Sequence, residues 1–304
     1  MTTTTLSKYQ EHRLLFLDNF NKGIKPVDGR QPIPDEVAKA MVQELIDLNT
    51  PKDATIGVVD CFMIFCTHLK EHGFTNLVLL EKEYFDKSDW NGGNHQYYKN
   101  VQNVCNNSNI KYYTPPRNNY NRCDMKFDVI IGNPPYGNAG NTAIKFLNAC
   151  GDLSNDIRLV LPISVHKASS QNKIRLDLIC VEDVDLPHDT FPGSIRSVMQ
   201  RWVKTDSLRS KIKTFTTHPD FKFVTANVAD LMVGRSGGGP CGRVKISDFK
   251  HYANDHFFIK VNSEEIKDRF VALGDEFWKI SRSYNGRPHL SKHELIQTYI
   301  KHYG

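Results

Sequence analysis

The stretch FDVIIGNPPYG, residues 127–137, decides how this chain reads. Val129, Ile130 and Ile131 are consecutive and β-branched, as in a strand buried on both faces. The run then stops at two prolines, which fix their own φ and donate no backbone hydrogen bond, and at Tyr136. A hydrophobic strand that ends in so stiff a turn raises the question of what the turn holds.

The same alternation extends outward in both directions. Upstream, PIPDEVAKAMVQELIDL sets Val37, Ala38, Met41, Val42, Leu45 and Ile46 on one helical stripe, and Pro34, Asp35 and Glu36 suit its first turn. TIGVVD is a short strand, IFCTHLKEHG a helix closed by Gly73, and NLVLLEKE a second strand. Downstream come a helix around TAIKFLNAC, a strand in IRLVLPI and a helix through SSQNKIRLDLI. Strand, helix, strand implies parallel strands joined by right-handed crossovers. The expectation is an α/β protein with a doubly wound, mostly parallel sheet over residues 31–205, after a polar lead over 1–30.

Residues 86–124 break this rhythm with Asn, Tyr and Gly, leaving long loops in which only VQNVC and IKYY resemble short elements. Residues 206–304 read as a small C-terminal α+β extension, with an amphipathic helix in the second half of FIKVNSEEIKDRFVALGDEFWKI.

Composition narrows the class. The 304 residues carry a formal charge of +5, a mild basic excess that suits a polyanionic partner. The seven cysteines are an odd number without a CxxC pair, which reads as a reduced, intracellular protein; no metal ion is expected. No apolar span is long enough for a bilayer, so no membrane partner is expected. Neither GxSxG nor GxGxxG stands at a strand-to-helix position, which argues against a hydrolase or a dehydrogenase.

In open α/β sheets ligands gather outside the carboxyl ends of the strands, where Asn133 to Tyr136 fall. Asn133 offers an amide oxygen and an amide nitrogen, Pro134 and Pro135 leave carbonyl oxygens on a rigid loop, and Tyr136 places a flat π surface at the tip. This set suits an exocyclic amino group on a planar base: the acceptors take its hydrogens while the ring stacks. Two acceptors also favour the pyramidal nitrogen that develops as the amine attacks, so no strong base is required.

IGNPPYG resembles the catalytic motif of the S-adenosylmethionine-dependent amino-methyltransferases, chiefly those that modify the adenine amino group in DNA. The resemblance implies a Rossmann-like methyltransferase fold, S-adenosyl-L-methionine as cofactor and duplex DNA as partner. It makes Asn133 and the Pro134 carbonyl the ligands of the amino group and Tyr136 the platform for a flipped-out adenine. The order of segments is similar to the gamma arrangement of bacterial and phage restriction-modification enzymes, with IPDEVAKAMV first and a target-recognition part last. LVLPISVHK and FPGSIRSVMQRWV are similar to that group's later strands, so the likeness spans residues 30–205. A cytoplasmic location, in a bacterium or a phage-infected cell, goes with it.

The resemblance assigns the cofactor to Pro34, Asp60, Phe62 and Glu83, with Glu81 as the alternative to Glu83 for the ribose hydroxyls. The family's first loop runs acidic-Pro-aromatic-x-Gly-x-Gly; in VVDCFMIFC, Asp60 and Phe62 match while Ile64 and Cys66 stand at the glycine positions. A β-branched residue resists the conformations glycine accepts. Either the loop takes another shape and still binds the cofactor, or the protein is a degenerate scaffold that binds nucleic acid as a decoy. For phosphate contacts the candidates are Arg201, Lys204, Arg209, Lys211 and Lys213, with Arg235 and Arg243 flanking the loop GRSGGGPCGR.

Overall fold

In a computed structural model the described residues are 33–59, 64–80, 110–113, 125–191, 195–237, 239–247, 249, 255–284 and 287–304. The chain divides into two compact units, Met1–Lys211 and Ile212–Gly304.

The first unit opens with helix α1, Asp35–Asp47, entered from the extended Pro34; Asp35 and Glu36 in its first turn complement the helix dipole. Its stripe of Val37, Ala38, Met41, Val42 and Leu45 is buried, as the spacing of apolar residues requires. Then follow β1 (Ile56–Val59), α2 (Ile64–Glu71), β2 (Leu77–Leu80), β3 (Lys111–Tyr113), β4 (Val129–Gly132) and α3 (Asn141–Cys150). The unit closes with β5 (Asp156–Pro162), the short helix α4 (Ala168–Gln171), β6 (Leu178–Asp185) and β7 (Ser197–Lys204).

The seven strands form one sheet in the order β3-β2-β1-β4-β5-β7-β6. β1 to β5 pair in parallel, whereas β7 is antiparallel to both β5 and β6. β1, β2 and β4 are buried along their whole length, which explains their unbroken apolar runs. The strand order reverses between β1 and β4, and that switch point is where an open α/β sheet binds its ligands. The doubly wound, mostly parallel sheet is the architecture the sequence led us to expect.

The helix expected through SSQNKIRLDLI ends at Gln171, and Leu178 onward is strand β6. The guanidinium of Arg209 accounts for part of the change, donating to the carbonyls of Gln171 (2.6 Å), Ile174 (2.8 Å) and Leu178 (3.1 Å). Ladder pairing of Leu178 with Lys204 then makes the strand, so tertiary pairing overrides local helix preference. Of the segments noted between 86 and 124, IKYY supplies β3, while VQNVC lies outside the described residues.

The second unit is α+β. β8 (Phe221–Val224), β9 (Leu231–Gly234), β10 (Val244–Lys245) and β11 (His256–Val261) make an antiparallel sheet in the order β10-β9-β11-β8. Helices α5 (Glu264–Ala272), α6 (Gly274–Ser281) and α7 (Lys292–Tyr303) contribute Phe270, Phe277, Leu295 and Tyr299 to its core, with Phe221, Leu231, Val233 and Ile259 from the strands. The α5–α6 region answers to the expected amphipathic stretch. Helix α7 was not anticipated, although Ser291 and Glu294 form a capping box in which each side chain accepts the other's backbone N–H. Among the described residues no helix is long and apolar enough to cross a membrane.

Candidate active site

β1 and β4 lie side by side with Val59 opposite Gly132, and the Asn133 N–H donates to the Val59 carbonyl at 2.8 Å. Gly132 has φ 150°, and a Cβ there would stand 2.1 Å from the Val59 oxygen. Only glycine meets both conditions. The segment leaving β4, beginning with Asn133, and the segment leaving β1, beginning with Asp60, therefore start from adjoining points at the switch of the sheet.

Asn133, Pro134, Pro135 and Tyr136 are all buried. Beyond them the chain turns at Gly137 (φ 64°) and Gly140 (φ 77°), where side chains would collide with Thr142 and with Pro162 and Ser164. The Ser164 hydroxyl donates to the Ala139 carbonyl at 3.3 Å, fastening the turn to the segment after β5. A stiff backbone held by β1, α3 and the end of β5 is the result.

Tyr136 departs from the exposed platform that the sequence led us to expect. Its side chain is 6 % exposed, its hydroxyl donates to Ser197 Oγ at 3.0 Å, and the Phe191 ring meets it edge-on at 6.5 Å between centroids. Burial pushes the phenol well above its ordinary pKa, the Ser197 bond opposing only part of that effect. The cause is the antiparallel β7: its first residue, Ser197, sits opposite Pro162 at the carboxyl end of β5 and offers the hydroxyl a partner. A tyrosine body prefers cover when its O–H is satisfied. Phe191 and Ser197 are site neighbours that the sequence reading missed. The reversal of β7 brings Ser197 there, Phe191 belongs to the connection between β6 and β7, and no local pattern announces either.

Of the residues assigned to the cofactor, Pro34 is described: it precedes α1, and its carbonyl accepts the Ala38 N–H at 3.2 Å. Asp60, Phe62 and Glu83, with Glu81, lie outside the described residues. Ile64 and Cys66 belong to the first turn of α2, both buried in the core shared with α1 and the sheet. His68 of that helix joins Asp35 (2.8 Å) to Glu71 (3.0 Å), tying the start of α1 to α2. A buried strand leading to a helix start at the switch point is the frame that suits a nucleoside-bearing cofactor, and β1 with α2 supplies it.

The cationic candidates separate by what they touch. Arg201 grips Asp156 through Nε (3.1 Å) and Nη2 (3.0 Å), and Arg209 holds the three carbonyls described above. Lys204 and Lys211 are exposed. In the second unit Arg235 and Arg243 are exposed, and the Arg235 guanidinium lies 5.7 Å from the Phe257 ring centre. Lys213 is exposed as well.

This sheet order, with the ends of β1 and β4 side by side at its switch point, defines a Rossmann-like, doubly wound α/β fold. Residues 45–155 match the family model of the Eco57I restriction-modification methylase, so the resemblance to restriction-modification methyltransferases holds. Among solved structures, the chain is similar to the EcoKI M protein, at 11 % identity and TM-score 0.42, over 59 % of this chain and 44 % of that one. A protein from Vibrio vulnificus YJ016, described as the modification subunit of a type I restriction enzyme, aligns at 15 % identity and TM-score 0.47, over 67 % and 50 %. Magnesium protoporphyrin IX methyltransferase from Synechocystis PCC 6803 aligns at 13 % identity and TM-score 0.39, over 56 % and 79 %. The chain spans about half the length of the two restriction-modification proteins. No protein of curated function matches it.

Proposed function

We propose that the protein transfers a methyl group from S-adenosylmethionine to the exocyclic amino group of adenine in DNA. The observation that carries this reading is the bond from Asn133 N–H to Val59 O, which sets the start of the Asn133–Tyr136 turn against the end of β1. On this reading the Asn133 side chain and the Pro134 carbonyl accept the amino hydrogens and steer the nitrogen lone pair outward as it becomes pyramidal. Pro134 and Pro135 keep those acceptors from relaxing. Tyr136 stacks on the flipped base once the Phe191 side chain turns aside. Pro34, Asp60, Phe62 and Glu83 hold the cofactor, which supplies an electrophilic sulfonium methyl. The exposed Lys204, Lys211, Arg235 and Arg243 meet phosphates, while Arg201 and Arg209, already bound within their unit, brace the sheet.

The test is transfer of tritium from methyl-labelled S-adenosylmethionine to DNA, with Asn133→Ala as the control. Label that enters adenine and disappears in the variant supports the reading. No label in any DNA despite measurable cofactor binding removes DNA as the substrate.

A second reading is favoured by the cover over Tyr136 and by the core positions of Ile64 and Cys66: a catalytically degenerate scaffold that binds nucleic acid as a decoy. Calorimetry with S-adenosylmethionine separates the two, because a micromolar binding isotherm excludes the decoy in its simplest form.

A further inference from the structure

Outside the turn, the second unit carries a line of alternating cations and rings. Phe215 lies stacked on His293, with 5.8 Å between ring centres and 18° between planes, and its N–H donates to His293 Nδ1 at 3.1 Å. Because Nδ1 accepts, the neutral ring carries its proton on Nε2, which remains a donor. Lys213 Nζ stands 5.4 Å from the Phe215 ring. Next to His293, Lys292 Nζ stands 4.5 Å from the Phe223 ring, and Phe223 meets Phe257 edge-on at 5.4 Å. The exposed Arg235 closes the line over Phe257.

Lys213, Lys292 and Arg235 are exposed, and Phe215, Phe223 and His293 are half-buried, so rings and charges share one surface. Two acids flank it. Glu294 is committed to the cap of α7, and Asp255 accepts from Ser236 and faces Arg287 at 3.6 Å. Arg235 also feels the Asp255 carboxylate, while Lys213 and Lys292 keep their charge available to an outside anion. Half-buried rings interleaved with exposed cations are the combination that follows a nucleic-acid backbone and takes its bases or sugars on flat faces.

We infer that this line, from Lys213 through Phe215, His293, Lys292 and Phe223 to Arg235, is a nucleic-acid-binding surface of the second unit. It rests on the nucleic-acid reading above for its choice of polyanion. Lys292, Phe215, His293 and Phe223 become contacts that sequence spacing alone did not single out.

The experiment measures binding of fluorescent duplex and single-stranded DNA of one sequence by the full chain, as a function of salt. The variant joins Lys213→Ala, Lys292→Ala and Arg235→Ala; its control joins Lys222→Ala, Lys260→Ala and Lys279→Ala, with the same change in charge. Lys222 and Lys260 are opposite each other on the face of the sheet away from Phe223, so the control leaves the line intact. We expect the first variant to bind at least tenfold more weakly and to flatten the log–log salt slope by about 3, one for each lost phosphate contact. Phe215→Ala weakens binding of the single strand more than of the duplex. Equal losses in variant and control, or no loss in either, overturn the proposal, as does wild-type protein that binds no DNA. Binding lost in the variant while the wild type transfers no methyl group upholds this surface and sinks the enzymatic reading instead.

Discussion

Tyr136, on the turn after β4, donates its hydroxyl to Ser197 Oγ at the first residue of β7, 3.0 Å away and buried. The bond joins the stiff turn to the one reversed strand of the sheet. Removing either partner costs about 1 kcal/mol, the net worth of a neutral buried hydrogen bond. Urea unfolding of Tyr136→Phe, Ser197→Ala and the double variant should give losses that do not add, because both single changes break the same bond. Tyr136→Phe keeps the ring and, on the proposed function, should retain methyl transfer. Additive losses would show that the two side chains act independently.

Gly132→Ala should be among the most damaging single changes in the first unit. It forces a side chain onto φ 150° and onto the Val59 carbonyl. Strain and overlap together cost about 3 kcal/mol or more. Thermal melting checks this, and an unchanged transition would mean that the ends of β1 and β4 are farther apart than described.

Asp177 sets an acid limit on stability. The Arg175 guanidinium, bonded to its two oxygens at 2.9 and 2.7 Å, holds the carboxyl below its ordinary 3.8, against the upward effect of burial. A group depressed in the folded state contributes stability that is full above its unfolded pKa and is lost as pH falls through the folded value. Urea midpoints taken from pH 5 down to pH 2.5 should therefore decline less steeply in Asp177→Asn than in the wild type. Parallel declines would place the acid sensitivity elsewhere.

Arg209→Ala should destabilise the first unit by about 2–3 kcal/mol, since three carbonyls lose a charged donor. On the proposed function, the salt slope of DNA binding should stay where it is. A slope flattened by about 1 would make Arg209 a phosphate contact after all.

Ser291→Ala removes half of the capping box of α7 and should cost about 1 kcal/mol in the second unit. Ser291→Asp restores a cap acceptor and should recover most of it. Melting curves of the two variants decide whether the cap matters.

How much could be read in advance varied with how local the cause was. The stripe of α1 and the buried runs of β1, β2 and β4 follow from spacing and β-branching, properties that a short window of residues contains. So does the stop at Asn133–Pro134–Pro135, because proline sets its own backbone. The helix expected through SSQNKIRLDLI failed at Gln171, where Arg209, thirty-eight positions away in the chain, draws off the carbonyls. The Ser291–Glu294 signature was legible and passed over.

The sequence by itself determined the alternating strands and helices of the first unit, the rigid turn and the family it resembles. Tertiary structure alone decided that β7 runs backward and so brings Ser197 to Tyr136, that Phe191 meets the same ring, and that Ile64 and Cys66 serve the core. It also decided which arginines are engaged inside the protein. The reason is physical: strand direction, burial and ion pairing depend on partners distant in the chain, and their energies exist only once those partners meet.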